Sequence, residues 1–139
     1  ALVNVGGYQD QYTELPANVI VDSWFPQPSV IPQVDVVIHH GGNNSFTECL
    51  YFGKPAIVMP FAWDGHDNAT RVQETGYGYK LNRADWTPDA LAARVHDCLH
   101  DRTMRARLAA TSARMRAQDG AAKAARLLAE LLERNRRHG

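Results

Sequence analysis

The chain has 139 residues, 45% of them apolar, with 15 basic and 15 acidic side chains. That is the size and balance of one globular domain, and it argues against a disordered polycation, a collagen or a two-domain enzyme. The longest apolar runs, such as Val36 to Ile38 and Ala56 to Met59, are far short of the roughly 20 residues of a bilayer span, and no signal peptide is legible, so the reading is a cytoplasmic protein.

Short β-branched runs alternate with amphipathic stretches along the chain. This pattern predicts an α/β fold, a parallel sheet with helices on its faces. The expected strands are Leu2 to Val5, Val19 to Asp22, Val34 to Ile38, Pro55 to Met59 and Gly78 to Leu81. The third and fourth are apolar throughout and should be central, buried on both faces. Helices are expected at Asn43 to Phe52, Asn68 to Thr75, Pro88 to Leu99, Arg102 to Arg116 and Gly120 to Arg134, with a helical turn near Ser29. Thr87 before Pro88 reads as a helix start, and Gly53 and Gly76 as left-handed helix ends. Cys49 and Cys98, each inside a helical pattern, read as buried free thiols and not as a disulfide or metal pair. The last 39 residues carry ten basic and four acidic side chains. With no aromatic residues interleaved, this tail reads as a solvated helix face, so nucleic acid is not an expected partner. In the last helix Ala124, Leu127, Leu128, Leu131 and Leu132 recur at helical spacing, a stripe that must bury against something.

The most informative stretch is Val36 to Glu48. A buried strand is followed by the glycine pair Gly41-Gly42 and then by Asn43, Asn44 and Ser45 opening a helix. Unpaired N–H groups and the positive end of the helix dipole make such an end an anion cradle, and open parallel sheets bind ligands at this edge. His40, Asn44 and Ser45 can add donors, enough to hold a pyrophosphate without a metal, and Glu48 can accept from a ribose diol. A plain tight turn capped by His40 explains the glycine pair equally well. The stretch lacks the glycine spacing of dinucleotide and P-loop sites. His39 and His40 are no zinc pair, because neighbours on a strand face opposite ways. Trp24-Phe25-Pro26-Gln27 follows the second strand, and its indole could stack on a base or lie in the core. The run from Pro60 through Asp64 and Gly65 to Ala69 follows the fourth strand and adds a carboxylate at the same edge.

These elements, in this order, resemble the nucleotide-sugar signature of the family 1 glycosyltransferases, the UDP-glycosyltransferase superfamily with the two-domain GT-B fold. The resemblance runs through Trp24-x-Pro26-Gln27, His40-Gly41-Gly42-x-Asn44-Ser45-x-x-Glu48, Gly53-x-Pro55, Pro60-x-x-x-Asp64 and Asn68-Ala69. Its Trp63-to-Ala69 run and helical tail look most similar to bacterial macrolide and natural-product members. The resemblance implies the C-terminal, donor-binding half of a GT-B fold over residues 1–139. It implies that Trp24 stacks on the base, Phe25 reads the base edge through its backbone and Gln27 reaches the ribose. Glu48 would hold the ribose hydroxyls, while His40, Asn44, Ser45 and the helix end, with Gly41 and Gly42, would bind the diphosphate. Asn43 and Asp64 would approach the sugar.

The implied reaction is inverting transfer from a UDP- or dTDP-sugar to a small-molecule acceptor, with no metal and no cofactor. A GT-B-fold epimerase or hydrolase, or a non-catalytic helper module, are the alternatives. Gly65 stands where the family usually has glutamine, which removes a donor to the sugar. Ala1 to Gly7 looks like the family domain's second strand, so the first strand-helix unit and the acceptor domain, with its base histidine, are expected to lie outside this chain. No catalytic residue is then expected within it, and the chain by itself should be inactive. The leucine stripe is expected to be partly exposed or to mediate self-association.

Overall fold

The computed structural model describes residues 1–136. It has an α/β architecture in which every strand pairing is parallel. In chain order come β1 (Leu2–Asn4), a 3-10 turn (Gln9–Gln11), β2 (Ile20–Asp22), α1 (Gln27–Val30), a 3-10 turn (Ile31–Gln33), β3 (Val37–His39) and α2 (Asn43–Phe52). They are followed by β4 (Ala56–Val58), α3 (Asp64–Thr75), β5 (Gly78–Lys80), α4 (Pro88–His100), α5 (Arg102–Arg116) and α6 (Gly120–Arg136).

The strands form two sheets, one of β1 and β2 and the other in the order β3-β4-β5. This corrects two expectations, a single sheet and two central strands. β4 is central, and Ala56, Ile57 and Val58 are each at most 2% exposed. β3 is an edge strand, although it is apolar enough to be buried on both sides, and Ile38 remains 47% exposed. A cavity of about 360 Å³ lies between the two edges, lined by Leu2 and Asn4 on one side and by Val36, Ile38 and His39 on the other. No ladder joins β1 and β3, and the cavity opens between them.

Alternation along β4 sends side chains to both faces of its sheet. Ala56 and Val58 pack with Phe46 and Cys49 of α2 and Ala69 and Val72 of α3. Ile57 packs on the other face with Cys98 of α4 and Met104 and Leu108 of α5. The helix boundaries follow local chemistry. Thr87 Oγ1 accepts from the Ala90 N–H at 3.1 Å and Asp101 Oδ1 from the Met104 N–H at 2.9 Å, satisfying donors that a helix start leaves free. Gly53 and Gly76 close α2 and α3 in the left-handed conformation, as expected. Both cysteines are free and buried, and burial pushes the Cys49 thiol up to about 12 and the Cys98 thiol to about 11.

Two further boundaries differ from expectation. β3 begins at Val37, where the ladder to Ala56 starts, and not at Val34, because the chain bends at Asp35. α3 begins at Asp64, one turn before the expected Asn68, with Asp64 and Asp67 in its first turn, where carboxylates favour a helix start. α6 projects its leucine stripe to solvent, and Leu127, Leu128, Leu131 and Leu132 are all more than half exposed.

Candidate functional site

Strands β3 and β4 run parallel, so both deliver their C-terminal ends to one edge. Two helices start there. α2 begins after Gly42 and α3 after Trp63, and neither start has a side-chain cap. At α2 the first N–H groups therefore remain directed beyond the edge, whereas at α3 the Gly65 and His66 N–H groups already donate to the Ala62 and Trp63 carbonyls at 3.0 and 3.1 Å. The two starts differ in charge, since α3 carries Asp64 and Asp67 in its first turn whereas α2 carries no acid in its own. An anion is favoured at the α2 end, and a hydroxyl-bearing group suits the Asp64 carboxylate.

The loops bearing these starts touch backbone to backbone. A Cβ added at Gly41, whose φ is +92°, would lie 2.7 Å from the Gly65 carbonyl oxygen. A Cβ at Gly65 would lie 2.7 Å from the carbonyl oxygen of His40. No side chain fits at either position without displacing main chain. Gly65 thus does more than omit a glutamine, because it lets the first turn of α3 close on the glycine turn. The ring of His40 folds over that turn, with Nε2 2.6 Å from where a Gly42 Cβ would stand.

His39 faces the other way. Its Nδ1 accepts the Gly41 N–H at 3.0 Å, which requires the neutral ring with its proton on Nε2. That Nε2 is buried without a hydrogen-bond partner. Burial first, and the neighbouring His40 second, lower the His39 pKa to about 4.

Gln27 ties the Trp24 loop to α2. Its Nε2 donates to Ser45 Oγ at 2.8 Å and to Glu48 Oε2 at 2.7 Å, drawing together three residues the sequence singled out separately. Upstream, the Ser23 N–H and hydroxyl both donate to Asp22 Oδ1, shaping the turn that leaves β2. Trp24 is 68% exposed, so the structure does not use it as core. Phe25 is half-buried and lines the cavity between the sheets together with Gln27, His39 and Ser45. His40, Asn43, Asn44 and Asp64 are exposed at the same edge, while Gly41 and Gly65 are buried beneath it.

The link between the two helix starts was not read from the sequence as a site residue. Asn68 of α3, 4% exposed, donates to the Gly41 carbonyl at 2.8 Å and to Asn43 Oδ1 at 2.9 Å. A signal for it exists, since Asn68 shares a helix face with Ala69 and Val72, an amide at a core position. The loop before α3 is strained as well. Trp63 has φ 47° and is 91% exposed, a conformation costing about 1 to 3 kcal/mol for a non-glycine residue. Nearby, the Arg83 guanidinium lies 4.8 Å from the centre of the Phe61 ring. Among the described residues no group of three or more His, Cys, Asp or Glu could hold a metal ion, and no helix is long and apolar enough to cross a membrane.

Comparison with known proteins gives the family and the fold. The family model described as erythromycin biosynthesis protein CIII-like, C-terminal domain, matches residues 4–131. The chain is 34% identical over 125 residues to the oleandomycin glycosyltransferase of Streptomyces antibioticus, covering 89% of this chain and 29% of that protein. It is 34% identical over 92 residues to the 3-alpha-mycarosylerythronolide B desosaminyl transferase of Saccharopolyspora erythraea, covering 66% of this chain and 22% of the relative. Among solved structures, the glycotransferase of kitacinnamycin superposes with a TM-score of 0.84 at 35% identity, covering 91% of this chain and 33% of that one. The calicheamicin glycosyltransferase CalG4 superposes with a TM-score of 0.85 at 27% identity, over 96% and 35% of the two chains. The chain therefore spans about a fifth to a third of the length of these proteins.

Proposed function

From the premise that the chain belongs to the erythromycin biosynthesis protein CIII-like C-terminal domain family, with the fold of the C-terminal half of a GT-B glycosyltransferase, we propose that residues 1–139 form the donor-binding domain of a sugar-transferring enzyme. The donor is a UDP- or dTDP-sugar and the acceptor a small molecule held by a further domain. The observation that carries this reading is the meeting of two uncapped helix starts at the Gly41–Gly65 contact, beside the Gln27–Ser45–Glu48 hydrogen-bond set.

In this reading the base stacks on Trp24, with its edge read by the Phe25 backbone, and the ribose hydroxyls meet Glu48. The carboxylate is already oriented by Gln27, so little side-chain freedom is lost on binding. The diphosphate lies on the N–H groups of Asn44 and Ser45, under His40, and the sugar extends toward Asn43 and Asp64. Transfer proceeds with inversion at the anomeric carbon. The acceptor oxygen bonds to that carbon as the bond to the β-phosphate oxygen breaks, and the acceptor's proton passes to a base outside these residues. Charge developing on the departing diphosphate is stabilised by the α2 start and by donation from His40, groups fixed before reaction, in the role a metal fills elsewhere. The free, buried thiols suit a reducing, cytoplasmic setting. The exposed leucines of α6 are the surface through which this chain associates with further protein, including a second copy.

The test is calorimetric titration of the 139-residue chain with UDP, dTDP and NAD, with and without EDTA, repeated on His40→Ala. The expected result is binding of UDP or dTDP, unchanged by EDTA and weakened in the variant, with no binding of NAD. Absence of nucleoside diphosphate binding, or its loss on adding EDTA, would overturn the reading.

A further inference from the structure

We propose that Asn68 is a positioning residue that turns the side-chain amide of Asn43 outward, so that its N–H groups face the sugar of the donor; this rests on the donor-site reading above. The argument is one of hydrogen-bond valence. An asparagine side chain has two N–H donors on nitrogen, and its oxygen only accepts. The Gly41 carbonyl can only accept, so the Asn68 atom 2.8 Å from it is the nitrogen. The second N–H of that nitrogen points at Asn43, 2.9 Å away. The facing atom of Asn43 must then be its oxygen, since a nitrogen there would set donor against donor.

The consequence lies on the far side of Asn43. With its Oδ1 turned inward, its Nδ2 is directed away from Asn68. Asn43 is exposed and is the first residue of α2, beside the helix start assigned to the diphosphate. Asn68 can impose this choice because it is 4% exposed and, in its buried position, keeps both N–H groups paired. The same side chain fixes the Gly41 turn, so one residue of α3 sets both the floor of the cradle and the direction of the adjacent amide. An Asn43 free to turn would present oxygen or nitrogen to the ligand at random. A fixed one presents donors, which suits the oxygens of a sugar.

The test combines amide NMR of the free chain with titrations of dTDP and dTDP-glucose on the wild type, Asn43→Ala, Asn68→Ala and the double variant. In the free wild type, the Asn68 side-chain protons are expected to exchange slowly with water and those of Asn43 quickly. This measurement stands even if Asn68→Ala fails to fold. In the titrations, Asn68→Ala and Asn43→Ala should each weaken dTDP-glucose about three- to tenfold more than dTDP, the range of one neutral hydrogen bond. The loss selective for dTDP-glucose should be no greater in the double variant than in either alone. Equal weakening of both ligands, additive losses, or fast exchange of the Asn68 amide would overturn the positioning role while leaving the donor site standing. Binding of neither ligand by the wild type would instead overturn the donor-site reading, and this role with it.

Discussion

His39 makes the stability of the chain depend on pH in a way that can be worked out from its surroundings. The ring is held neutral, with its Nδ1 accepting the Gly41 N–H and its pKa lowered from 6.5 to about 4, by burial first and by His40 second. Between those two values the unfolded chain takes up the proton and the folded chain does not. Stability therefore falls as the pH drops through this window, and the loss is complete only below the folded value. From about pH 7.5 to about pH 5 the linkage amounts to about 2 kcal/mol. The comparison is His39→Asn, whose Oδ1 can replace Nδ1 as the acceptor but does not titrate. Urea denaturation of both proteins at each pH isolates the term, because the other groups titrate alike in the two. The wild type should lose about 2 kcal/mol more than the variant over this range. Parallel losses would refute the neutral His39 and the account of how the glycine turn is held.

Three further outcomes are expected. Trp24→Ala should weaken dTDP by about 1 to 3 kcal/mol, the worth of a base stacked on an aromatic ring, as read by calorimetry; unchanged affinity would place the base elsewhere. Gly65→Ala puts a methyl group 2.7 Å from the His40 carbonyl oxygen, so the first turn of α3 must retreat; chemical-shift changes at Gly41 and weaker dTDP binding should appear together. Replacing the exposed Leu128 and Leu132 by lysine should reduce association of the chain in sedimentation velocity at high concentration; wild type that stays monomeric throughout would refute α6 as an association surface.

The sequence by itself determined what depends on near neighbours. Helix ends were legible because caps act within one turn, as with Thr87, Gly53 and Gly76. The buried character of β4 was legible because an apolar run beside turn residues has few alternatives. The turn that opens α2 was legible from its glycine pair, Gly41 and Gly42. Helix α3 was read a turn short because Asp64 to Asp67 is polar and glycine-bearing, and whether such a stretch winds depends on what it packs against. Tertiary structure decided the rest, since it depends on distances between residues far apart in the chain. β3 has the composition of a central strand, yet it is an edge because no strand pairs with it across the cavity. Gly65 reads as a missing donor in the sequence, and only the approach of two loops makes it a contact that admits no side chain. Asn68 is one amide among many until α3 packs against the Gly41 turn. Its two N–H groups then find their acceptors 27 and 25 positions away, a pairing that only the packing of α3 on α2 can specify.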